Sequence, residues 1–186
     1  MLTKINYKPF NPKAMKRSKF FAVIFAVLVS IGFASCEKEE GEFDIDRTQG
    51  VIGRWYSAGN DVAPILRGRP FFTDSIYAEM RADFTFRVES YDAARVMTLF
   101  TGTFSQRESG IGAIWNITLQ QNVPFAGVSE GIFMIHWDEN PIRMRYEVLQ
   151  TTPALGLAPP TAIGGFGSSA GGALGQNNVQ VFRRMP

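Results

Sequence analysis

From about residue 50 onward this chain predicts an all-β domain, most simply an antiparallel up-and-down barrel of roughly eight strands, with a two-sheet sandwich as the alternative. Three observations carry that reading. Apolar and polar residues alternate with period two in several segments, the periodicity of a half-buried strand. Short runs of Asp, Asn, Gly and Pro punctuate the segments at hairpin spacing. No stretch beyond residue 50 has convincing helical periodicity.

Taken in order, the first candidate strand is Val51–Ala58 and the second Ser75–Met80. The third places Phe84, Phe86 and Val88 on an apolar face against Thr85, Arg87 and Glu89 on a wet one. Arg95–Gln106 is the fourth. In the fifth, Trp115, Ile117 and Leu119 alternate with Asn116, Thr118 and Gln120. The sixth, Glu130–Asp138, contains the continuous apolar run Gly131–Ile135, expected to be a more buried or edge-covered strand. In the seventh, Ile142, Met144, Tyr146 and Val148 face inward and Arg143, Arg145 and Glu147 face water. Asn178–Arg183 is the last. Turns are expected at Arg81-Ala82-Asp83, Tyr91-Asp92, Glu108-Ser109-Gly110 and Asp138–Pro141. Two connections are long: Gly59–Pro70 and the Pro/Gly/Ala/Ser-rich excursion 151–176, read as a flexible connector.

The first 35 residues read as a signal peptide. Lys4, Lys8, Lys13, Lys16, Arg17 and Lys19 form a basic region without an acid, followed by the apolar run Phe20–Ala34. That run is shorter than the ~20 residues that span a bilayer as a helix. Met15 is the expected true initiator, because it gives a leader of ordinary proportions. Cys36 is the only cysteine in the chain, so no internal disulfide can form. Phe33-Ala34-Ser35-Cys36 resembles the lipobox of bacterial lipoproteins, with Phe33 in place of the usual aliphatic residue. The resemblance implies an acylated Cys36 carrying palmitate-class chains, and two or three such chains hold a protein stably at ~0.8 kcal/mol per buried methylene. Residues 36–49 then form an acidic tether that includes Glu37, Glu39, Glu40, Glu42, Asp44 and Asp46. The acid-rich stretch is similar to the export tag of surface lipoproteins, so the expected location is the outer membrane, lipid-anchored and facing the cell surface, with the periplasmic face as the alternative.

Composition removes one class of partner. Six of the 19 basic residues lie in the leader, leaving 13 against 17 acids and a mature charge near −4. Without a clustered basic stripe, nucleic acid is not an expected partner.

The domain itself, residues 50–186, resembles the lipocalin-like lipoproteins of Gram-negative bacteria in Gly53-Arg54-Trp55, Thr101–Ser105 and Val179–Phe182. The resemblance implies that Gly53 and Trp55 are structural residues of the barrel base.

Catalytic chemistry is poorly provided for. His136 is the sole histidine and reads as structural or pocket-lining; one histidine and one cysteine cannot assemble an ordinary zinc site. Asp138, Glu139 and Asn140 are explained by a turn as well as by a calcium site. Asp74, Glu79, Glu130 and Glu147 keep carboxylate-pair hydrolysis formally open. Gly164–Gly172 lacks the strand-before, helix-after context and the Lys of a phosphate loop. The expectation is therefore a non-catalytic lipoprotein without metal or cofactor. Its barrel would hold a small apolar or amphipathic ligand, with Arg67, Arg69, Phe71, Phe72 and Phe166 as candidate rim or gate residues. The alternative is an accessory lipoprotein docking on an outer-membrane protein complex. A void lined by Trp115, Ile117, Met144 and Tyr146 would favour the ligand, and a filled interior the partner.

Overall fold

The computed structural model describes residues 46–186. The leader with Met15, Cys36 and the tether through residue 45 lie outside the described residues. Eight strands form one closed antiparallel barrel in sequence order. They are β1 (Gly53–Ala58), β2 (Thr73–Met80), β3 (Thr85–Asp92), β4 (Met97–Ile111), β5 (Ile114–Val123), β6 (Gly127–His136), β7 (Arg143–Thr152) and β8 (Gln180–Arg184). The up-and-down barrel is thus the architecture adopted. A two-sheet sandwich is ruled out because β8 pairs back onto β1, opposing Arg184 to Trp55 and Arg183 to Tyr56. One short helix, α1 (Pro64–Arg67), and several 3-10 turns lie in the connections.

Alternation sorts the strands into an inner and an outer face. Phe86 and Val88, Ile117 and Leu119, Met144 and Tyr146, and Phe182 all point inward and form the core or pack on it. Gly102 and Gly131 occupy places where the neighbouring strand crowds the backbone. A Cβ there would lie 1.9 Å from the Gln120 carbonyl oxygen and 2.0 Å from that of Glu147, so only glycine lets the sheet curl this tightly.

One end of the barrel is plugged. The carboxylate of Asp46 accepts from the Thr48 amide at 2.9 Å and caps the 3-10 turn Arg47–Gln49. Gln106 clamps the next residues, accepting from the Val51 amide at 2.9 Å and donating to the Gln49 carbonyl at 2.9 Å. Val51 is thereby buried beneath Trp55, whose indole N–H donates to the Val51 carbonyl at 2.8 Å. Beside them the Arg184 guanidinium lies 5.4 Å from the Trp55 ring and 5.6 Å from Trp137. Gly53 explains the fit: with φ at +143° and the guanidinium 3.1 Å from where its Cβ would be, a side chain would both strain the backbone and push Arg184 away. Desolvation lowers the Arg184 pKa from its ordinary value, and the aromatic faces offset part of the cost of burying that charge.

Three local expectations need correction. Phe84 is not on the inner face of β3; it sits in the β2–β3 turn at φ +62°, exposed, its ring 5.6 Å from that of Phe104. Tyr91-Asp92 and Glu108-Ser109-Gly110 lie within strands. The β4–β5 reversal comes at Gly112-Ala113, where Gly112 takes φ +53° and Ile111 pairs with Ile114. The third concerns Glu147, which is wholly buried although it faces outward.

The excursion after β7 is responsible. It folds against the outer wall of β6 and β7 as a strap, burying Pro160, Ala162 and Ser169. The Glu147 carboxylate accepts from the Gly167 amide at 2.6 Å and the Ser169 amide at 3.1 Å. Arg145 rests on the Phe166 ring at 4.4 Å and donates to Gln176 at 3.1 Å. The same cover explains the apolar run of β6: Phe133 and Ile135 fill the interior, while Ile132, facing out opposite Glu147, has no exposure.

Truncation of Trp55 to Ala removes the base plug and should cost about 3–5 kcal/mol, the range for large-to-small aromatic substitutions in cores. Gly53→Ala should cost at least ~1 kcal/mol through backbone strain and displacement of Arg184. Urea unfolding of residues 46–186, which contain all eight strands of the barrel and its core, measures both as lowered midpoints.

Candidate functional site

The interior above the base is not filled. A cavity of about 240 Å³ runs up the barrel axis. Its lower part is apolar, lined by Trp55, Met80, Phe86, Met144 and Phe182. Toward the other end, Gln121, Ser129, Asn178 and Gln180 bring polar atoms to the wall. Of the expected wall residues, Met144 and Tyr146 line the void. Trp115 and Ile117 do not; they belong to the packed base, where Trp115 stacks on Phe133 at 5.8 Å. The small side chains of Ala78 and Ser129 leave room among the larger residues of the wall. Tyr146 is held edge-on to Phe182 at 5.8 Å, and burial pushes its phenol up, so it stays a neutral hydroxyl.

The β1–β2 connection covers one sector of the open end. The backbone around α1 crosses the β8–β1 seam, with Val62 and Ala63 buried and Ala63 and Leu66 facing the cavity. It is pinned on both sides of the wall. Outside, Asp61 accepts from Arg143 at 2.9 Å and from Arg183 at 2.6 Å. Inside, the Ala63 amide donates to Gln180 Oε1 at 2.8 Å, and Gln180 Nε2 donates to Ser57 Oγ. Gln180 and Ser57 are both buried, so this pairing satisfies polar groups that would otherwise cost a few kcal/mol. Asn178 completes the seam by donating to the Val148 carbonyl and to Ser169 Oγ, both at 3.0 Å.

None of Arg67, Arg69, Phe71, Phe72 or Phe166 lines this cavity. Arg67 donates to Asn60 at 3.0 Å and shares with Phe72 and Ala93 a shallow hollow of about 250 Å³ on the outside of the rim. Arg69 and Phe71 are exposed on the same loop. Phe166 lies apart from them, on the outer wall beneath Arg145. The cavity residues that sequence reasoning missed are Ala63, Leu66, Gln121, Ser129, Asn178 and Gln180. Gln121 was within reach, being one more step of the Trp115-Ile117-Leu119 alternation. Ser129 and Gln180 likewise continue the inward alternation of Phe133 on β6 and Phe182 on β8, whereas Ala63, Leu66 and Asn178 depend on where the two long connections fold.

A second hollow, of about 360 Å³, lies outside the barrel between Pro159–Thr161 of the strap and the outer faces of β4, β5 and β6. Its walls are polar, and it collects Arg107, Asn116 and Glu130. The remaining acids do not converge on the interior. Glu79 pairs with Arg81 at 2.6 Å, Asp74 is exposed and Glu147 is held by the strap. His136 lies at the plugged end, 3.8 Å from Glu139. Tyr146 is the one ionisable side chain on the cavity wall. Among the described residues, no three His, Cys, Asp or Glu side chains group as metal ligands.

No known protein family, curated protein or solved structure gave a significant match to the chain.

Replacing Glu147 by Gln removes one acceptor oxygen and turns an N–H toward an amide donor. The expected cost is about 1–3 kcal/mol, confined largely to the strap. Hydrogen exchange is the measurement: the amides of Gly167 and Ser169 should lose protection while the β2–β5 ladders keep theirs.

Proposed function

We propose that this protein is a membrane-anchored lipoprotein whose barrel binds a small amphipathic ligand without transforming it. The observation that carries the reading is the interior cavity, apolar at its base and polar toward the open end. Such a gradient suits a molecule with a single short hydrocarbon chain and a polar head. At roughly 30 Å³ per water-sized group, the space accommodates about eight methylene-sized units. Burying that many at ~0.8 kcal/mol each gives about 6 kcal/mol before the cost of association, hence affinities no tighter than about 40 μM from this burial. The absence of an acid–base pair or nucleophile from the lining favours holding a ligand over converting one.

The anchoring half of the reading rests on the Phe33-Ala34-Ser35-Cys36 pattern and the acidic stretch after it. In a Gram-negative host, an alkyne analogue of palmitate should label the wild-type chain and leave Cys36→Ala unlabelled. Equal labelling of the two would remove Cys36 as the attachment site.

For the cavity, saturated fatty acids of graded length are titrated into residues 46–186 while tryptophan emission is followed, since Trp55 lines the base. One-to-one binding should peak at intermediate chain length. Val148→Phe and Val88→Phe, which fill the void from two different strands, should each weaken binding about tenfold or more while keeping a cooperative thermal transition. Binding that ignores both substitutions would place the ligand elsewhere.

A further inference from the structure

The apolar side chains that remain exposed are not scattered. Among the described residues, eight of the thirteen large hydrophobics that face water lie at the open end of the barrel. They lie in or at the edge of all four connections there: Phe71 and Phe72 before β2, Val96 with Met97 at the start of β4, Val123 at the end of β5 with Phe125 after it, and Leu155 and Leu157 after β7. Their exposure is substantial, 56% for Phe71, 62% for Val96 and 53% for Phe125. Singly exposed hydrophobics are ordinary, but a ring of them around one opening marks a surface that meets another phase or partner.

The charges on the same connections have one sign where they are free. Arg67, Arg69 and Arg95 have no carboxylate partner among the described residues. The single acid in these connections, Asp61, is held by Arg143 and Arg183. At the strand ends, Asp92 is engaged by the Val96 amide at 2.8 Å, leaving Asp74 as the exposed acid. Apolar tips with guanidinium groups set behind them are the pattern of a surface that sits at the headgroup level of an anionic bilayer. A protein interface of this kind would instead concentrate its apolar area in one continuous central patch, whereas here the tips surround an opening.

We infer that the open end of the barrel docks on an anionic lipid surface, with the ring of Phe71, Phe72, Val96, Met97, Phe125 and Leu155 entering the interface and Arg67, Arg69 and Arg95 pairing with phosphates. The α1 connection covers the β8–β1–β2 sector of the opening, while the β3–β6 sector carries only the short turns 93–96 and 124–126. A docked barrel therefore turns its less covered side to the membrane. The inference rests on the ligand reading only for what passes through that opening, a single-chain lipid; the docking stands or falls separately.

The test uses residues 46–186, which lack the leader and the acylation site, and vesicles made of equal parts phosphatidylcholine and phosphatidylglycerol. The protein should co-sediment with these vesicles and much less with pure phosphatidylcholine. Phe71→Ser with Phe125→Ser should lower the partition coefficient about tenfold or more. Arg69→Gln and Arg95→Gln should each lower it about fivefold, the equivalent of one basic residue near an anionic surface. Phe84→Ser and Ile163→Ser, exposed at the plugged end and on the strap, serve as controls and should leave it unchanged. Equal loss from the control and rim substitutions would overturn the proposal, as would an absence of vesicle binding. So would a stoichiometric envelope-protein complex crosslinked through position 125 in intact cells without lipid crosslinks. Val148→Phe separates the two readings: it should weaken fatty-acid binding about tenfold or more and leave vesicle partitioning intact.

Discussion

Closure of the barrel rests on a very short seam. β1 and β8 oppose each other at only two residue pairs, Trp55 with Arg184 and Tyr56 with Arg183. The Trp55–Arg184 contact does more than complete a ladder there. It stacks a cation between two indoles, fits against the bare backbone of Gly53 and seats the N-terminal turn beneath the core. An open eight-stranded sheet would leave two unpaired edges, each a template for association with another chain. Closing both edges at the base frees the opposite end from that task, so the seam above Gln180 needs no ladder.

That freedom is where the site comes from. Above the last β7–β8 pair, Tyr146 with Gln180, the wall is built from α1 and the residues around Asn178 in place of strand. Ser57 and Gln180 pair with each other and Gln180 accepts from the crossing Ala63 amide, while Asn178 donates to the Val148 carbonyl and to Ser169 Oγ. The polar wall residues Gln121, Ser129, Asn178 and Gln180 gather toward the open end, where the α1 connection adds the apolar Ala63 and Leu66.

The strap obeys a different logic. A carboxylate buried on an outer wall is costly unless its oxygens are satisfied, and two backbone amides of the glycine-rich stretch do this for Glu147. The segment resembles a phosphate cradle in composition because it cradles an anion, though an internal one. Its glycines accommodate positive φ at Gly165, Gly167, Gly171 and Gly172, conformations that let successive amides turn toward one group. Without the strap, Ile132 would be a lone apolar side chain on the outer wall and Glu147 an ordinary surface acid.

The strand set was legible in the sequence because period two is a local property: Trp115-Ile117-Leu119 and Met144-Tyr146-Val148 announce their faces with no knowledge of their neighbours. Turn positions were less so, since Gly110 and Gly112 compete for the same reversal and only strand register decides between them. The candidate rim residues were chosen by loop position, which puts Arg67, Arg69, Phe71 and Phe72 in or beside the β1–β2 connection but does not say which way they point. By itself, then, the sequence determined the all-β class, the inward face of most strands and the acid-rich, single-cysteine character of the chain ahead of the domain. Only tertiary structure decided that Glu147 is buried, that Phe166 belongs to the outer wall and that Asn178, Ala63 and Leu66 line a void. Each of these depends on contacts between segments distant in the chain, whose pairing is set by closure and packing and leaves no periodic trace in the residues themselves.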